Sequence, residues 1–137
     1  MKRIYSRADS GRLLHFIQRP DNYGTREELI DSREVLQLSS QAVTKDTSFR
    51  AHRHIPKPVN ITQITAQESW VIISGKVRVT YFDLDDSILE KHVLEAGDVS
   101  VTLAGGHGYE ILEDSQILEF KTGPYLGQEL DKVFIDK

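Results

Sequence analysis

The chain has 137 residues with a formal net charge of −4, 39% hydrophobic and 28% charged residues, and no cysteine. This length suits a single domain with a real core, and the absence of cysteine excludes disulfides, thiolate metal sites and a cysteine nucleophile. The acidic balance gives no support for a nucleic acid or an anionic membrane as partner, so we expect a small-molecule ligand. No transmembrane run or secretory signal is visible, which predicts a cytoplasmic protein.

The N-terminal third of the chain predicts little regular structure. The apolar run at 12–17 is expected to form an edge strand, with His15 packed within it or lying on the surface. Residues 25–28 have the Thr-x-x-Glu spacing of a capping box and predict a short helix. Residues 34–43 mix apolar and polar side chains, which predicts one or two half-buried strands.

From residue 48 onward, short segments of strand composition alternate with tight turns. Strands are predicted at 48–54, 61–73, 77–82, 88–94, 99–103, 107–112, 117–121 and, as a final edge strand, 130–135. A proline-containing loop at 55–60 separates the first two, because proline cannot donate to a strand ladder. The pattern predicts an all-β antiparallel sandwich or small barrel with little helix. We expect one domain over 1–137, with 1–34 as an N-terminal extension packing on the barrel of 35–137.

Three of the five histidines, His52, His54 and His107, are candidates for metal binding together with Glu68. On a strand, side chains two residues apart point to the same face, so His52 and His54 can converge on one ion. Glu68 and His107 would complete a mixed nitrogen and oxygen site if the fold brings the three segments together. Imidazole and carboxylate ligands suit a divalent transition metal: Fe, Mn, Ni, Co or Zn.

Side chains near these four residues are candidates for a substrate pocket. Arg50 shares the face of the first histidine pair and is predicted to bind an anionic substrate group. Trp70 and Tyr109 lie on the faces of the carboxylate and of the third histidine, and are predicted pocket walls, with core packing as the alternative. Glu119 and Lys121 are candidate acid–base or substrate-binding groups if their face of the strand looks inward, and solvated outer residues otherwise.

The span from 49 to 121 resembles the cupin superfamily, whose two motifs combine a His-x-His pair, a glutamate and a third histidine with glycines at set positions. The matching residues are His52, His54, Glu68, Gly75, Gly97, Gly105 and His107. The interval between His54 and Glu68 is longer than the family's usual one, and Leu103 replaces its usual proline. The resemblance implies a double-stranded β-helix, or jelly roll, in which His52, His54, Glu68 and His107 hold the metal.

A looser similarity, over 105–125, relates the chain to small cupins found among polysaccharide and sugar-nucleotide biosynthesis proteins. Because cupins commonly form dimers, the resemblance also implies a homodimer.

Three functions are considered. The first is a small metal-dependent oxygenase or isomerase acting on a small polar metabolite, such as a sugar or sugar-nucleotide derivative. The second is a metal-free epimerase or isomerase with His107 or His52 as general base and Tyr109 as acid. The third is a non-catalytic sugar-binding or regulatory module. Fold alone cannot choose among them.

Overall fold

The computed structural model describes residues 1–20, 26–42, 44–54, 56 and 63–135. Within these residues the regular structure is almost entirely strand, with one helix of a single turn. The elements are β1 (Lys2–Tyr5), β2 (Leu13–Gln18), β3 (Glu27–Glu28), β4 (Ser39–Ser40), β5 (Glu68–Ser74), β6 (Lys76–Phe82), β7 (Ile88–Glu95), β8 (Val99–Thr102), β9 (Gly106–Ile111), β10 (Gln116–Lys121) and α1 (Gln128–Asp131).

The strands form two larger sheets and one small pair. The five-stranded sheet has the order β1-β2-β8-β5-β10, the three-stranded sheet has the order β7-β6-β9, and β3 pairs with β4. Every one of these pairings is antiparallel. In the described part of the chain, none of the sheets closes into a barrel. The predicted all-β antiparallel class with little helix is confirmed at this level.

The second half of the chain follows the predicted strands, which tight turns separate, and in β6 burial alternates with period two. In β6, Val77, Val79 and Tyr81 are fully buried, whereas the residues between them are only half-buried. Gly75 and Gly97 end strands with φ of 89° and 88°, a left-handed conformation that glycine adopts without steric cost. As a result, β6 to β10 match the predicted strands to within one residue at each end.

The five-stranded and three-stranded sheets pack face to face, because one cluster of buried residues draws on both. That cluster is Ile4, Leu14, Ile17, Ile72, Val77, Val79, Tyr81, Leu89 and Leu94. A second cluster contains β2 and β8 side chains together with residues from the N-terminal segment: Phe16, Leu29, Ile30, Val99, Val101 and Leu103. The five-stranded sheet is therefore covered on both faces, which explains why all four residues of β8 are buried.

The outward face of β5 carries apolar residues that need cover. Val71 packs against the second cluster, as do Leu36 and Leu38 of the N-terminal segment. At Val71, residues of the 29–38 segment therefore supply the cover. Ile73, at the end of the strand, is 49% exposed. The homodimer stays a prediction.

Two predictions in the N-terminal third are wrong in part. The 12–17 segment does form a strand, but β2 lies between β1 and β8 rather than at a sheet edge. The predicted helix at 25–28 is instead the strand β3, because Glu27 and Glu28 pair with Ser40 and Ser39. Thr25 lies outside the described residues.

Other predicted strands are shorter than expected or are not formed. Within 34–43, only β4 forms, and Val43 lies outside the described residues. Residues 48–54 are exposed and irregular. Their side chains alternate in sequence as those of a strand do, but no described strand pairs with them. At 130–135, α1 ends at Asp131 and irregular chain follows. The strand predicted at 61–73 begins only at β5; apart from Pro56, the preceding loop at 55–60 and residues 61–62 lie outside the described residues.

A buried carboxylate holds the N-terminus onto the three-stranded sheet. Asp83, 1% exposed, follows β6 and accepts hydrogen bonds from the Ser6 hydroxyl (2.6 Å) and from the backbone N–H groups of Arg7 (2.6 Å), Ala8 (3.1 Å) and Leu84 (2.8 Å). Burial alone would raise the pKa of Asp83, but these donors together lower it to about 2.

Candidate functional site

A row of four polar side chains crosses the five-stranded sheet. His15 in β2 is directly opposite Thr102 in β8, Thr102 is opposite Glu68 in β5, and Glu68 is opposite Lys121 in β10. Directly opposed residues of antiparallel strands point to the same face. Burial decreases along this polar row, from His15 (0% exposed) and Thr102 (4%) to the half-buried Glu68 and Lys121. The row therefore runs from the interior of the sandwich to the edge strand β10.

The opposite sheet places His107 against this row. Nε2 of His107, in β9, lies 3.1 Å from Oε1 of Glu68, and their side chains are 22% and 12% exposed. Burial by itself would raise the pKa of Glu68, but the hydrogen bond and positive charge from His107, aided by Trp70, lower it below its ordinary value. The site thus holds a half-buried carboxylate–imidazole pair that joins the two sheets, named here the Glu68–His107 pair.

Behind the pair, a chain of hydrogen bonds leads into the interior. Nδ1 of His107 lies 2.9 Å from the Thr102 hydroxyl, and the same hydroxyl lies 3.1 Å from Nδ1 of His15. Nε2 of His15 donates to the backbone carbonyl of Phe82 at 3.0 Å. Burial, partly opposed by this bond, lowers the pKa of His15 to about 4, so its ring is neutral at neutral pH.

Two aromatic rings lie beside the pair. Trp70 stacks on Tyr109 with ring centroids 3.7 Å apart and an interplanar angle of 8°. The Trp70 indole N–H donates to the Glu119 carboxylate at 3.2 Å. The Tyr109 hydroxyl lies 3.3 Å from Ser100, whose hydroxyl lies 2.6 Å from that of Tyr81. Tyr109 therefore contributes its ring to the site while its hydroxyl joins an interior network.

Both tyrosine hydroxyls of that network hold their protons firmly. Burial raises the pKa of Tyr81 to about 12, although its bond with Ser100 opposes the shift. Burial also raises the pKa of Tyr109 far above its ordinary value.

Lys121 provides a fixed positive charge at the open end of the polar row. Its ammonium lies 3.4 Å from the Asp131 carboxylate and 4.6 Å from the centre of the Tyr125 ring. Burial alone would lower the pKa of Lys121, but the hydrogen bond with Asp131 outweighs it and raises this pKa. Lys121 is thus a charged group directly opposite Glu68.

A cavity of about 310 Å³ lies beside this end of the row. It is lined by Ile64, Thr65, Ala66, Thr122, Leu126 and Asp131, among others. Asp131 and Thr122 connect it to the site, because one contacts Lys121 and the other follows it in the chain. A volume of this order suits a small ligand. A second cavity, of about 380 Å³, is lined by Leu13, Leu103 and the Asp31–Arg33 ion pair rather than by the polar row.

The remaining predicted site residues lie in a different environment. His52, His54 and Arg50 belong to the exposed irregular segment, where the two imidazole rings are 5.3 Å apart and Nδ1 of His52 lies 3.0 Å from the Arg50 carbonyl. The described residues contain no group of three or more His, Cys, Asp or Glu side chains that could hold a metal ion. The four predicted ligands are thus found as two pairs, and the complete metal site stays a prediction.

Three residues of this network were not predicted from the sequence: Thr102, Ser100 and Phe82. Their contribution depends on strand register across two sheets, which leaves no local pattern in the sequence. His15 was considered only as a packed or surface residue. The one sequence signal for an interior role of His15 was its position inside an apolar run, because a buried imidazole needs hydrogen-bond partners.

Among the described residues, no helix has the length and apolar composition needed to cross a membrane. No protein-family model, no curated protein and no solved structure matches the chain.

Proposed function

We propose that the chain is a metal-independent acid–base catalyst, an isomerase or epimerase, in which Glu68 and His107 act as one unit. Its substrate class is a small polar carbonyl compound such as a sugar or sugar-nucleotide derivative. The observation that carries the proposal is the 3.1 Å contact between Glu68 Oε1 and His107 Nε2 in a half-buried position. A partly buried carboxylate whose pKa is shifted by a neighbouring imidazole is typical of functional sites.

The chemistry follows from what such a pair does with a proton. The pair removes a proton from the carbon next to the substrate carbonyl, and the C–H electrons move into the enolate, placing negative charge on the carbonyl oxygen. The pair exchanges the abstracted proton with solvent and returns a proton to the enolate, whose electrons re-form the C–H bond and a carbonyl. Return to the other face of a reoriented enolate gives the epimer. Return to the former carbonyl carbon, with the proton of the neighbouring hydroxyl passing to the former carbonyl oxygen, gives the isomer. A positioned acid–base group contributes about 10²- to 10⁴-fold to such a step.

We assign Lys121 the role of stabilising the negative charge that develops on the substrate's carbonyl oxygen. It is opposite Glu68 across β5 and β10, and its contact with Asp131 keeps it protonated. A fixed positive charge beside an enolate oxygen stabilises the transition state without reorganising solvent.

The aromatic pair and the cavity support the substrate class. Trp70 is only partly buried, and its stacking on Tyr109 holds the indole ring rigidly beside the Glu68–His107 pair. Rigid aromatic surfaces next to polar groups suit sugar rings, which have apolar faces and polar edges. Glu119 is assigned a positioning role, through its hydrogen bond from the Trp70 indole. In this proposal the Tyr109 hydroxyl is not the general acid, because it bonds Ser100 in the interior.

For the fold, we propose the finer description that the resemblance implied, a cupin jelly roll. Two antiparallel sheets packed face to face, with the site residues on facing surfaces, support this architecture. The predicted motif glycines also support it, since Gly75, Gly97 and Gly105 all have positive φ.

A metal-dependent enzyme is the second candidate, and one distance favours it. Two neighbouring ligands on an octahedral ion, each about 2.1 Å from the metal, are separated by about 3.0 Å. The 3.1 Å between Glu68 Oε1 and His107 Nε2 matches that spacing. His52 and His54 would have to join them, and in the structure they do not contact the pair.

Chelation separates the two candidates. The protein is treated with EDTA, its metal content is measured by elemental analysis, and solvent-deuterium incorporation into a panel of aldoses, ketoses and nucleotide-linked keto-sugars is followed by NMR. Incorporation at an unchanged rate by metal-free protein supports the proposal. Loss of incorporation that is restored by adding one equivalent of a transition metal would favour the second candidate instead.

A further inference from the structure

We propose that His15 and Thr102 are positioning residues for His107: they orient its ring and keep a proton on its Nδ1, so that Nε2 is the nitrogen facing Glu68. The inference rests on the proposed function in one respect, namely that the Glu68–His107 pair is the working group. Neither residue touches the open end of the site, because both are almost fully buried.

The hydrogen-bonding role of one atom in the network, the Phe82 carbonyl oxygen, is fixed by its chemistry. The Phe82 carbonyl oxygen can only accept a hydrogen bond, so Nε2 of His15, 3.0 Å away, must carry the proton that it donates. A neutral imidazole has one N–H, which leaves Nδ1 of His15 as an acceptor. That nitrogen is 3.1 Å from the Thr102 hydroxyl, which therefore donates to it.

The Thr102 hydroxyl has a single hydrogen, which it donates to Nδ1 of His15. Its oxygen can still accept through a lone pair. His107 Nδ1, 2.9 Å from that oxygen, must then be the donor and hold a proton. The proton that His107 exchanges with Glu68 is consequently confined to Nε2.

The network is rigid enough to impose this arrangement. His15 is 0% exposed, its ring packs 4.6 Å from the Tyr81 ring, and its low pKa keeps it neutral, as the proton count requires. The reverse arrangement would leave a lone pair of His15 facing the Phe82 carbonyl inside the protein, where neither acceptor could be satisfied by water. A flip of the His107 ring would break both of its hydrogen bonds.

The role differs from that of a catalytic residue. His15 and Thr102, whose hydrogen bonds link the Phe82 carbonyl to His107, are named here the relay. The relay touches no substrate and supplies no proton to it. It selects the tautomer and orientation of the ring that does, as a hydrogen-bond partner on the second ring nitrogen does for other functional histidines.

The test is long-range 1H–15N NMR of His107, assigned by comparison with His107→Asn and recorded over the pH range in which the protein is folded. The experiment is run on wild type, Thr102→Val, which removes the hydroxyl, and Thr102→Ser, which retains it. Thr80→Val, on the outward face of β6, serves as the matched control. Far-UV circular dichroism checks the fold of each variant.

Wild type, Thr102→Ser and Thr80→Val are expected to carry a proton on Nδ1 throughout, with the second proton shared between Nε2 and Glu68, and Thr102→Val to lose the Nδ1 proton when its ring is neutral. With an active substrate from the exchange panel, Thr102→Val should lower kcat about 10- to 100-fold with KM little changed, while Thr102→Ser stays close to wild type. A wild-type ring that carries its proton on Nε2 and none on Nδ1 would overturn the inference without any variant. The same conclusion follows if Thr102→Val keeps both the Nδ1 proton and the wild-type kcat.

The two proposals fail separately. If His107 shows the expected tautomers but no panel compound incorporates deuterium in wild type, the relay stands and the proposed function fails. If deuterium is incorporated but the tautomer does not respond to Thr102, the function stands and the relay is wrong.

Discussion

The Glu68 carboxylate and the His107 imidazole meet across the two sheets, with Oε1 and Nε2 3.1 Å apart where the polar row approaches the edge strand β10. Neither strand alone would place a titratable group in this environment. Strand β5 supplies the carboxylate and strand β9 the ring, and packing of the two sheets brings them together.

The Tyr109 hydroxyl is expected to be dispensable for proton transfer, because it bonds Ser100 in the interior. Tyr109→Phe, which preserves the ring stacked on Trp70, should retain deuterium-incorporation activity within about threefold of wild type. Loss of a true general acid would cost about 10²-fold or more. Tyr109→Leu, which removes the stacking, should reduce activity further than Tyr109→Phe. A loss of 10²-fold in Tyr109→Phe would restore the tyrosine as the acid.

Stability should fall as His15 is forced to accept a proton. Its folded pKa of about 4 lies below its ordinary 6.5, so its contribution is complete above pH 6.5 and is lost as pH falls through 4. The loss amounts to about 3 kcal/mol. His107 and Asp83 are the charged neighbours that modify this pKa.

Urea unfolding of wild type and His15→Gln between pH 7.5 and 4 measures this term. The glutamine variant should be less stable at pH 7.5, but should lose about 3 kcal/mol less than wild type as the pH is lowered. Parallel pH profiles for the two proteins would show that His15 does not bear this titration.

Asp83→Asn should destabilise the fold, because the amide would place N–H groups where four donors now converge. The pKa of Asp83 is about 2, below its ordinary 3.8, so its contribution is present above pH 3.8 and lost as pH falls through 2. The thermal midpoint at pH 7 should drop by several degrees, whereas Asp114→Asn in an exposed turn should leave it unchanged. Equal midpoints for both variants would refute the anchoring role.

Gly105→Ala should be far more destabilising than Gly11→Ala, although both glycines have positive φ. A Cβ at Gly11 meets nothing within 4 Å, so only the backbone conformation is penalised, by about 1–2 kcal/mol. At Gly105 the added atom would collide with the Phe82 carbonyl oxygen and lie 3.1 Å from Nε2 of His15. We expect a loss above about 3 kcal/mol in urea unfolding. Equal losses in the two variants would contradict this packing.

Local pattern explains which parts of the fold were predictable. Tight turns bound strands β6 to β10, and β6 alternates apolar and polar residues along its length; such information is contained in adjacent residues. The 48–54 segment has the same alternation but stays irregular in the structure, since a strand also needs a neighbour to pair with. For the same reason β2 was predicted as an edge strand: its pairing with both β1 and β8 is a long-range property.

Some site residues were likewise predictable from local sequence, whereas others depend on long-range strand register. The motif spacing around Gly75 and Gly105 drew attention to Glu68 and His107, which the structure brings together. Thr102 and the interior position of His15 follow from register between β2, β8 and β5, which no local pattern encodes. The histidine pair at 52 and 54 is prominent in the sequence, but it lies in an exposed irregular segment and forms no metal-binding group with the other described residues.

The most direct test of the account is the rate of solvent-deuterium incorporation by metal-free protein in wild type, Glu68→Gln and His107→Asn. The matched controls are Glu90→Gln and His92→Asn, which alter a second Glu–His contact, 2.7 Å, on the other edge strand of the three-stranded sheet. The account predicts a loss of about 10²- to 10⁴-fold in both site variants and wild-type rates in both controls. Wild-type rates in Glu68→Gln and His107→Asn would contradict it.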